Sequence, residues 1–302
     1  MRKLYFIALY FKIIINIIMK VNRIGTYKTG FKYFNKNIEI TNEDDINFYK
    51  SLKIPPAYDN VTILNGKKII AYGYDSKNRK QVIYNPKFIE KQNNSKFIKI
   101  EKSIKYFKKF KNKIARDITG KDIKNKIISI IITLIIECGF RIGNKKYEKE
   151  YNSYGLTTLK KKHITLNDKK IKIDFIGKKN VRNVAICGNK HVYNYMLDIN
   201  DKLDIDDYIF KYGDKCISSG DVNKYLDNFY NKYELKITTK DLRTLNANNL
   251  FIKYYEKHKD DKQAIKKAID DTALKLHNTA SVCKKNYIDP RIIKLYEKIN
   301  KN

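Results

Sequence analysis

The sequence predicts an α+β chain: a small β-rich N-terminal module, then a larger, mainly α-helical region that carries a three-stranded β-meander. Three observations lead there. Between residues 38 and 92 the apolar runs are short and broken by turn residues. Beyond residue 95 the apolar spacing lengthens to the helical period. Residues 163 to 186 then return to strand-like alternation inside the helical part.

In the first part, VTIL (61 to 64), an Asn65-Gly66 turn, KKIIAYGY (67 to 74), a turn at Asp75 to Asn78, and RKQVIY (79 to 84) read as consecutive strands. Pro55, Pro56 and Pro86 fall at strand boundaries, and the polar stretch Gln92 to Ser95 reads as a linker. Past it, Ile104, Phe107, Phe110 and Ile114 share one helical face. A second helix, roughly 121 to 138, is apolar nearly all round and belongs in a core. It ends at Cys138-Gly139, so Phe140, Arg141, Ile142 and Gly143 emerge from its C-terminal end. The meander follows as HITL, KKIKIDFI and VRNVAI, with Lys178 at the tip of its second turn. The remainder reads as helical, including an apolar stripe of Ala264, Ile265, Ala268, Ile269, Ala273 and Leu276. The predicted organisation is a possible apolar extension over 1 to 18, a β-rich domain over 19 to 94, and a second domain over 95 to 302. Residues 4 to 18 invite a signal-peptide or anchor reading. Lys12 interrupts them and no small-residue cleavage site follows, which favours an upstream extension with Met19 as the working start over a membrane segment.

Lys and Arg number 64 against 32 Asp and Glu, a net charge of +32 spread along the chain. A globular surface with that field attracts polyanions, and nucleic acid is the commonest. AT-rich coding would also enrich Lys, Asn, Ile and Tyr, so charge alone does not decide. Cys138, Cys187, Cys216 and Cys283 form no CxxC pair, which argues for a reduced intracellular protein without a zinc ribbon or disulfide framework. No Walker loop is present, and nothing suggests use of ATP. The acidic run Asp204-Ile205-Asp206-Asp207 is the one cluster inviting a metal-dependent nuclease, and neighbouring acids of this kind form a solvated turn far more often than a metal site.

Two local words carry chemistry: Lys240-Asp241-Leu242-Arg243, and Tyr287 set behind Lys284 and Lys285. Together on a basic chain they suggest a tyrosine that attacks a nucleic-acid phosphodiester. Such attack passes through a phosphorane with extra negative charge, which fixed cationic donors must stabilise. Arg141 and Arg243, from separate parts of the chain, are candidates to clamp one phosphate, because a guanidinium gives two directed hydrogen bonds and keeps its charge. The leaving oxygen needs a proton, and Lys178 on its hairpin is the candidate general acid.

The words IPP (54 to 56), KIIAYGYDSKNRKQVIY (68 to 84), FRIGN (140 to 144), YGLTTLKKKHI (154 to 164), FIGKKNV (175 to 181), KDLRT (240 to 244) and NTASVCKKNYIDP (278 to 290) stand in one order. In that order the chain resembles the poxvirus-like type IB DNA topoisomerases of viruses and bacteria from about residue 50 onward. The resemblance implies the catalytic fold shared with tyrosine recombinases. It also implies a C-shaped clamp around duplex DNA and a monomer with no stable protein partner. The implied activity is relaxation through a covalent 3′-phosphotyrosyl link, without ATP or an obligatory metal. It gives Arg141 and Arg243 the phosphate, Lys178 the general-acid role and Tyr287 the attack. Poxvirus enzymes place a histidine before the threonine that precedes the tyrosine. In that register this chain has Asn278 before Thr279, with His277 one residue earlier, and bacterial relatives use asparagine there. Asn278 is therefore expected to donate to a phosphate oxygen, and His277 to pack beside the DNA site. The resemblance also assigns major-groove contacts to Arg79, Lys80, Gln81 and Tyr84, with Val82 where a further tyrosine is expected. A viral enzyme of this kind would act in a virion, a host-cytoplasm factory or a nucleus. The nearest rival is a tyrosine recombinase. Recombinases carry histidine three residues before the second arginine, where this chain has Lys240. A non-enzymatic basic DNA-binding protein would leave the ordered words unexplained.

Overall fold

The structure, a computed structural model, describes residues 20 to 299. The apolar stretch 4 to 18 and Met19 lie outside the described residues. The chain divides into two compact units, the first ending at Ser95 and the second beginning at Lys96.

The first unit is a six-stranded antiparallel sheet: β1 (Lys20–Thr26), β2 (Gly30–Asn35), β3 (Ile38–Glu39), β4 (Asp59–Leu64), β5 (Ile69–Tyr74) and β6 (Lys80–Tyr84). Their spatial order is β3-β2-β1-β4-β5-β6. Three of these strands are the ones that the Asn-Gly turn and the alternation predicted, and the first three went unread. A helix, α1 (Glu43–Ser51), is capped by Asn42, whose side chain accepts from the Asp45 amide, and has three acids in its first turn. It adds Tyr49 to a core of Val21, Tyr33, Ile54, Val61, Ile63 and Ala71. Arg23 sits inside this unit and donates to the carbonyls of Ile54, Pro55 and Tyr58 at 3.1, 3.0 and 2.8 Å. It thereby holds the Ile-Pro-Pro segment against the sheet.

The expected linker is not one. Gln92 to Ser95 lies within α2 (Pro86–Asp117), a single 32-residue helix. Polar residues of modest helix propensity cost a few tenths of a kcal/mol each, at most about 0.7. Each buried apolar side chain on the following turns, including Phe97, Ile100, Phe110 and Ile114, returns about 2 kcal/mol. Tertiary burial thus outweighs local preference. The buried face also differs from the predicted one, because Ile104 remains 44% exposed.

The second unit is built around α3 (Ile123–Cys138). Asp122 caps it, and ten of its residues are buried. Successive elements are α4 (Lys145–Tyr151), the antiparallel meander β7 (Ile164–Asn167), β8 (Lys170–Ile176) and β9 (Arg182–Cys187), α5 (Lys190–Asn200), and a two-stranded ribbon β10 (Lys211–Tyr212) with β11 (Lys215–Cys216). Then come α6 (Ser219–Tyr230), α7 (Thr239–His258), α8 (Ala264–Lys275), α9 (Ala280–Asn286) and α10 (Pro290–Ile299). One core surrounds α3 and takes in Phe140, the meander and α6; another joins α7 to α10 through Phe251, Ala268, Cys283 and Ile288. His163 at the foot of the meander is packed between Tyr154 and Phe175, and its Nδ1 accepts from the Lys160 amide. Burial and the neighbouring Lys162 and Lys160 bring its pKa down to about 4, so it is neutral at physiological pH. Among the described residues no helix is long and apolar enough to cross a membrane.

Candidate active site

Two close backbone approaches assemble the site within the second unit. Gly139 ends α3 in the left-handed region at φ 70°, and its amide donates to the Ile135 carbonyl at 3.2 Å. A Cβ at Gly139 would lie 2.2 Å from the Lys275 carbonyl oxygen, so only glycine lets the end of α3 meet the end of α8. Phe140 then plunges into the core, fully buried, with its ring 5.0 Å from those of Phe175 and His277. Arg141 consequently emerges beside the 276 to 278 turn. The second approach is Gly143 against Gly155, where a Cβ on Gly155 would stand 2.5 Å from the Gly143 Cα. The Leu156 and Thr157 amides donate to the Arg141 and Ile142 carbonyls at 2.9 and 2.7 Å, and the Tyr154 amide donates to the Ile176 carbonyl at 2.8 Å. The loop bearing Arg141 is thus tied through residues 154 to 157 to the foot of the hairpin bearing Lys178.

Four of the five expected catalytic residues are brought together. Arg141 donates from its terminal nitrogen to Asn278 Oδ1 at 2.5 Å. Arg243, on the second turn of α7 and only 4% exposed, donates to the Leu276 carbonyl at 2.9 Å. Its guanidinium carbon lies 5.2 Å from the centre of the Tyr287 ring. Burial lowers the Arg243 pKa, Tyr287 opposes that shift, and Arg141 adds to it. A guanidinium nevertheless remains protonated at neutral pH, so the pair presents two adjacent cations. The Arg243 Nε and the Asn278 Nδ2 are buried donors with no partner among the described residues. Orphaned buried donors are rare, and two in one cationic cluster fit an oxyanion.

Among the described residues, no hydrogen bond, ion pair or ring contact joins Lys178 to the other four. It occupies a one-turn 3₁₀ segment, Lys178–Asn180, between β8 and β9, with Lys179 at φ 63° and the Gly177 amide donating to the Val181 carbonyl at 2.8 Å. Its side chain is exposed, on a hairpin whose foot is anchored as described.

His277 and Asn278 are clearly separated in environment. His277 is in the left-handed region at φ 52°, its Nε2 lies 2.9 Å from the Cys138 carbonyl, and its ring is stacked on Phe140. Burial lowers its pKa, the bond to the Cys138 carbonyl opposes, and Arg243 and Arg141 lower it further. A neutral ring occupied by a backbone carbonyl packs the site, whereas the Asn278 amide has a donor to give. Asn278→Ala is expected to lower single-turnover DNA cleavage by about 10²-fold, and His277→Ala to lower the melting temperature while leaving the cleavage rate within about 3-fold. The reverse ranking in the cleavage assay would move the register by one residue.

One residue was invisible in the sequence reading. Asn248, buried on α7, donates from Nδ2 to the Tyr287 carbonyl at 3.0 Å and to the Thr244 carbonyl at 2.7 Å. Its Oδ1 accepts from the Asp289 amide at 2.8 Å. Tyr287 closes α9 with φ −124° and ψ −37°, outside regular helix, so this irregular turn depends on side-chain partners. Asn248 shares α7 with Arg243, and one helix therefore places both the buried guanidinium and the turn that carries the tyrosine.

Among the expected groove contacts, Arg79 and Gln81 both donate to Asp75 Oδ2, at 2.9 Å each, which orders the β5–β6 turn. Lys80 lies over the Tyr72 ring at 4.0 Å, and Tyr84 is stacked on Phe88. All four belong to the edge strand β6 or the turn before it. The acidic run is a set of ion pairs: Asp206 binds Lys162 and Asp207 binds Lys211, each at 2.6 Å. Among the described residues no cluster of His, Cys, Asp and Glu is arranged to hold a metal ion.

Residues 85 to 302 match the family described as eukaryotic DNA topoisomerase I, catalytic core. The DNA topoisomerase 1B of Acanthamoeba polyphaga mimivirus is 31% identical over 290 residues, which cover 88% of this chain and 84% of the relative. The DNA topoisomerase 1 of Rabbit fibroma virus (strain Kasza) is 28% identical over 88% of this chain and 87% of its own. The DNA topoisomerase 1B of Vaccinia virus (strain Copenhagen) is 26% identical over 91% and 90%. A solved XerH site-specific recombinase bound to difH superposes with a TM-score of 0.37 at 16% identity, over 65% of this chain and 50% of that one, too loosely to carry an argument. With the family match spanning the whole region that holds Arg141, Arg243, Asn278 and Tyr287, this chain belongs to the type IB DNA topoisomerases.

Proposed function

We propose that this protein relaxes supercoiled duplex DNA, working as a monomer, by transient cleavage of one strand at Tyr287. The Tyr287 oxygen forms a bond to phosphorus as the bond from phosphorus to the 5′ oxygen breaks, leaving a 3′-phosphotyrosyl link. The tyrosine proton passes to solvent or a nearby base, and Lys178 supplies a proton to the departing 5′ oxygen when its hairpin folds onto the DNA. Arg141, Arg243 and Asn278 hold the non-bridging oxygens, where charge builds in the transition state. Rotation of the free end releases torsion, and attack by the 5′ hydroxyl reverses the steps. The bond energy is conserved in the phosphotyrosine, so the cycle needs no ATP.

The observation that carries this reading is the pair of orphaned buried donors, Arg243 Nε and Asn278 Nδ2, in a cationic cluster faced by the Tyr287 ring. The cationic side chains supply the charge that a metal provides in other phosphodiester chemistries. Relaxation of supercoiled plasmid is therefore expected to proceed in EDTA without nucleotide. Activity that appears only with added magnesium or ATP would overturn the proposal, and formation of stable recombinants between specific sites would replace it. A protein with its relatives among viruses would work in a virion, a cytoplasmic factory or a nucleus.

A further inference from the structure

We propose that Lys96 is a positioning residue for Tyr287, holding the backbone just before the tyrosine as Asn248 holds the backbone just after it. The inference rests on the reading of Tyr287 as the nucleophile.

The side chain of Lys96, on α2 and half-buried, donates from Nζ to the Asn286 carbonyl at 3.1 Å and lies 4.0 Å from the centre of the Phe97 ring. Asn286 is the last residue of α9, a helix of seven residues. The final carbonyls of a helix have no N–H donors within it and carry its negative end, so a lysine there both satisfies a carbonyl and complements the dipole. With Asn248 on the Tyr287 carbonyl and the Asp289 amide, three backbone groups of the turn are fixed by two side chains from different helices. The Tyr287 ring is thereby aimed by contacts that involve none of its own atoms beyond the backbone.

The charge on this tether is conditional. Burial, aided by the Lys240 ammonium on α7, brings the Lys96 pKa down to about 8, against the pull of Asp289 and Asp241. Asp241 is itself engaged, 2.7 Å from Lys99, and its Oδ2 caps α7 by accepting from Thr238. The ammonium is therefore present below that pH and lost as pH rises through it, whereas an ordinary lysine keeps its charge to about 10.4.

The test is single-turnover cleavage of a duplex oligonucleotide by the full chain, at varied enzyme concentration and at pH 6.5 to about 9.5. This separates the maximal rate from the half-saturating concentration. Lys96→Met is expected to lower the maximal rate about 10-fold while moving half-saturation less than about 3-fold. Lys96→Arg is expected to restore the rate and to remove the decline above about pH 8 that is expected of the natural protein, because a guanidinium does not titrate there. A Lys96→Met protein that binds more weakly yet cleaves at the full maximal rate would make Lys96 a phosphate contact and overturn the proposal. Failure of arginine to rescue would overturn it as well. Peptide mapping of the covalent adduct keeps the two readings distinct: an adduct on a residue other than Tyr287 defeats the nucleophile assignment, whatever Lys96 does.

Discussion

Tyr287→Phe is expected to abolish plasmid relaxation and the covalent DNA adduct together, with a rate loss of at least about 10⁴-fold. The substitution removes one oxygen and keeps the ring, so the ring's place beside the Arg243 guanidinium is retained. Neighbouring Cys283 and Ile288 are fully buried in the core of α7 to α10 and are untouched by it. Folding should survive, and a melting curve within a few degrees of the natural protein checks that. Binding should survive too, because affinity for duplex DNA comes from many lysines and arginines on a chain of net charge +32. A variant that binds with the same steep salt dependence but forms no adduct isolates the chemical step. Relaxation persisting in Tyr287→Phe would remove this tyrosine from its role, and the adduct would then have to be sought on another of the 24 tyrosines.

What the sequence made legible, and what it hid, follows from the range of the interactions involved. The strands around Asn65-Gly66 and the buried helix ending at Cys138 are specified locally, by turn chemistry and by an unbroken apolar run. The strand Lys20–Thr26 hid because it carries a buried arginine, Arg23, whose partners at Ile54, Pro55 and Tyr58 are more than thirty residues away. The helix across Gln92 to Ser95 hid because its stability comes from side chains on later turns. In the site, Arg141 and Arg243 were legible as arginines in distinctive words, but their proximity was not: it requires the end of α3 to touch the end of α8 at Gly139. Asn248 and Lys96 hid for a further reason. An asparagine inside a helix and one lysine among dozens have no local mark, and each reaches the backbone around Tyr287 across a long separation in sequence.

The arginine substitution with the largest expected effect is Arg243→Lys, which should slow single-turnover cleavage by about 10² to 10³-fold. Arg243 donates to the Leu276 carbonyl with one nitrogen while its Nε has no partner among the described residues, so in the proposed role the fork would join the turn before Asn278 to the phosphate. A lysine carries the same charge as a single point and cannot span both. Alanine is the poorer probe: it leaves the Leu276 carbonyl unsatisfied and opens a hole at a position only 4% exposed, so lost activity would be mixed with lost stability. Cleavage by Arg243→Lys within about 3-fold of the natural rate would show that charge alone suffices and that the fork has no part in the transition state. A second readout sharpens the argument. Cleavage and rejoining cross the same phosphorane in opposite directions, so a group that stabilises only that transition state must slow both by the same factor. The equilibrium fraction of covalent adduct should therefore stay unchanged in Arg243→Lys while its approach to equilibrium slows, and a shifted fraction would mean that Arg243 favours the phosphotyrosine or the intact strand instead.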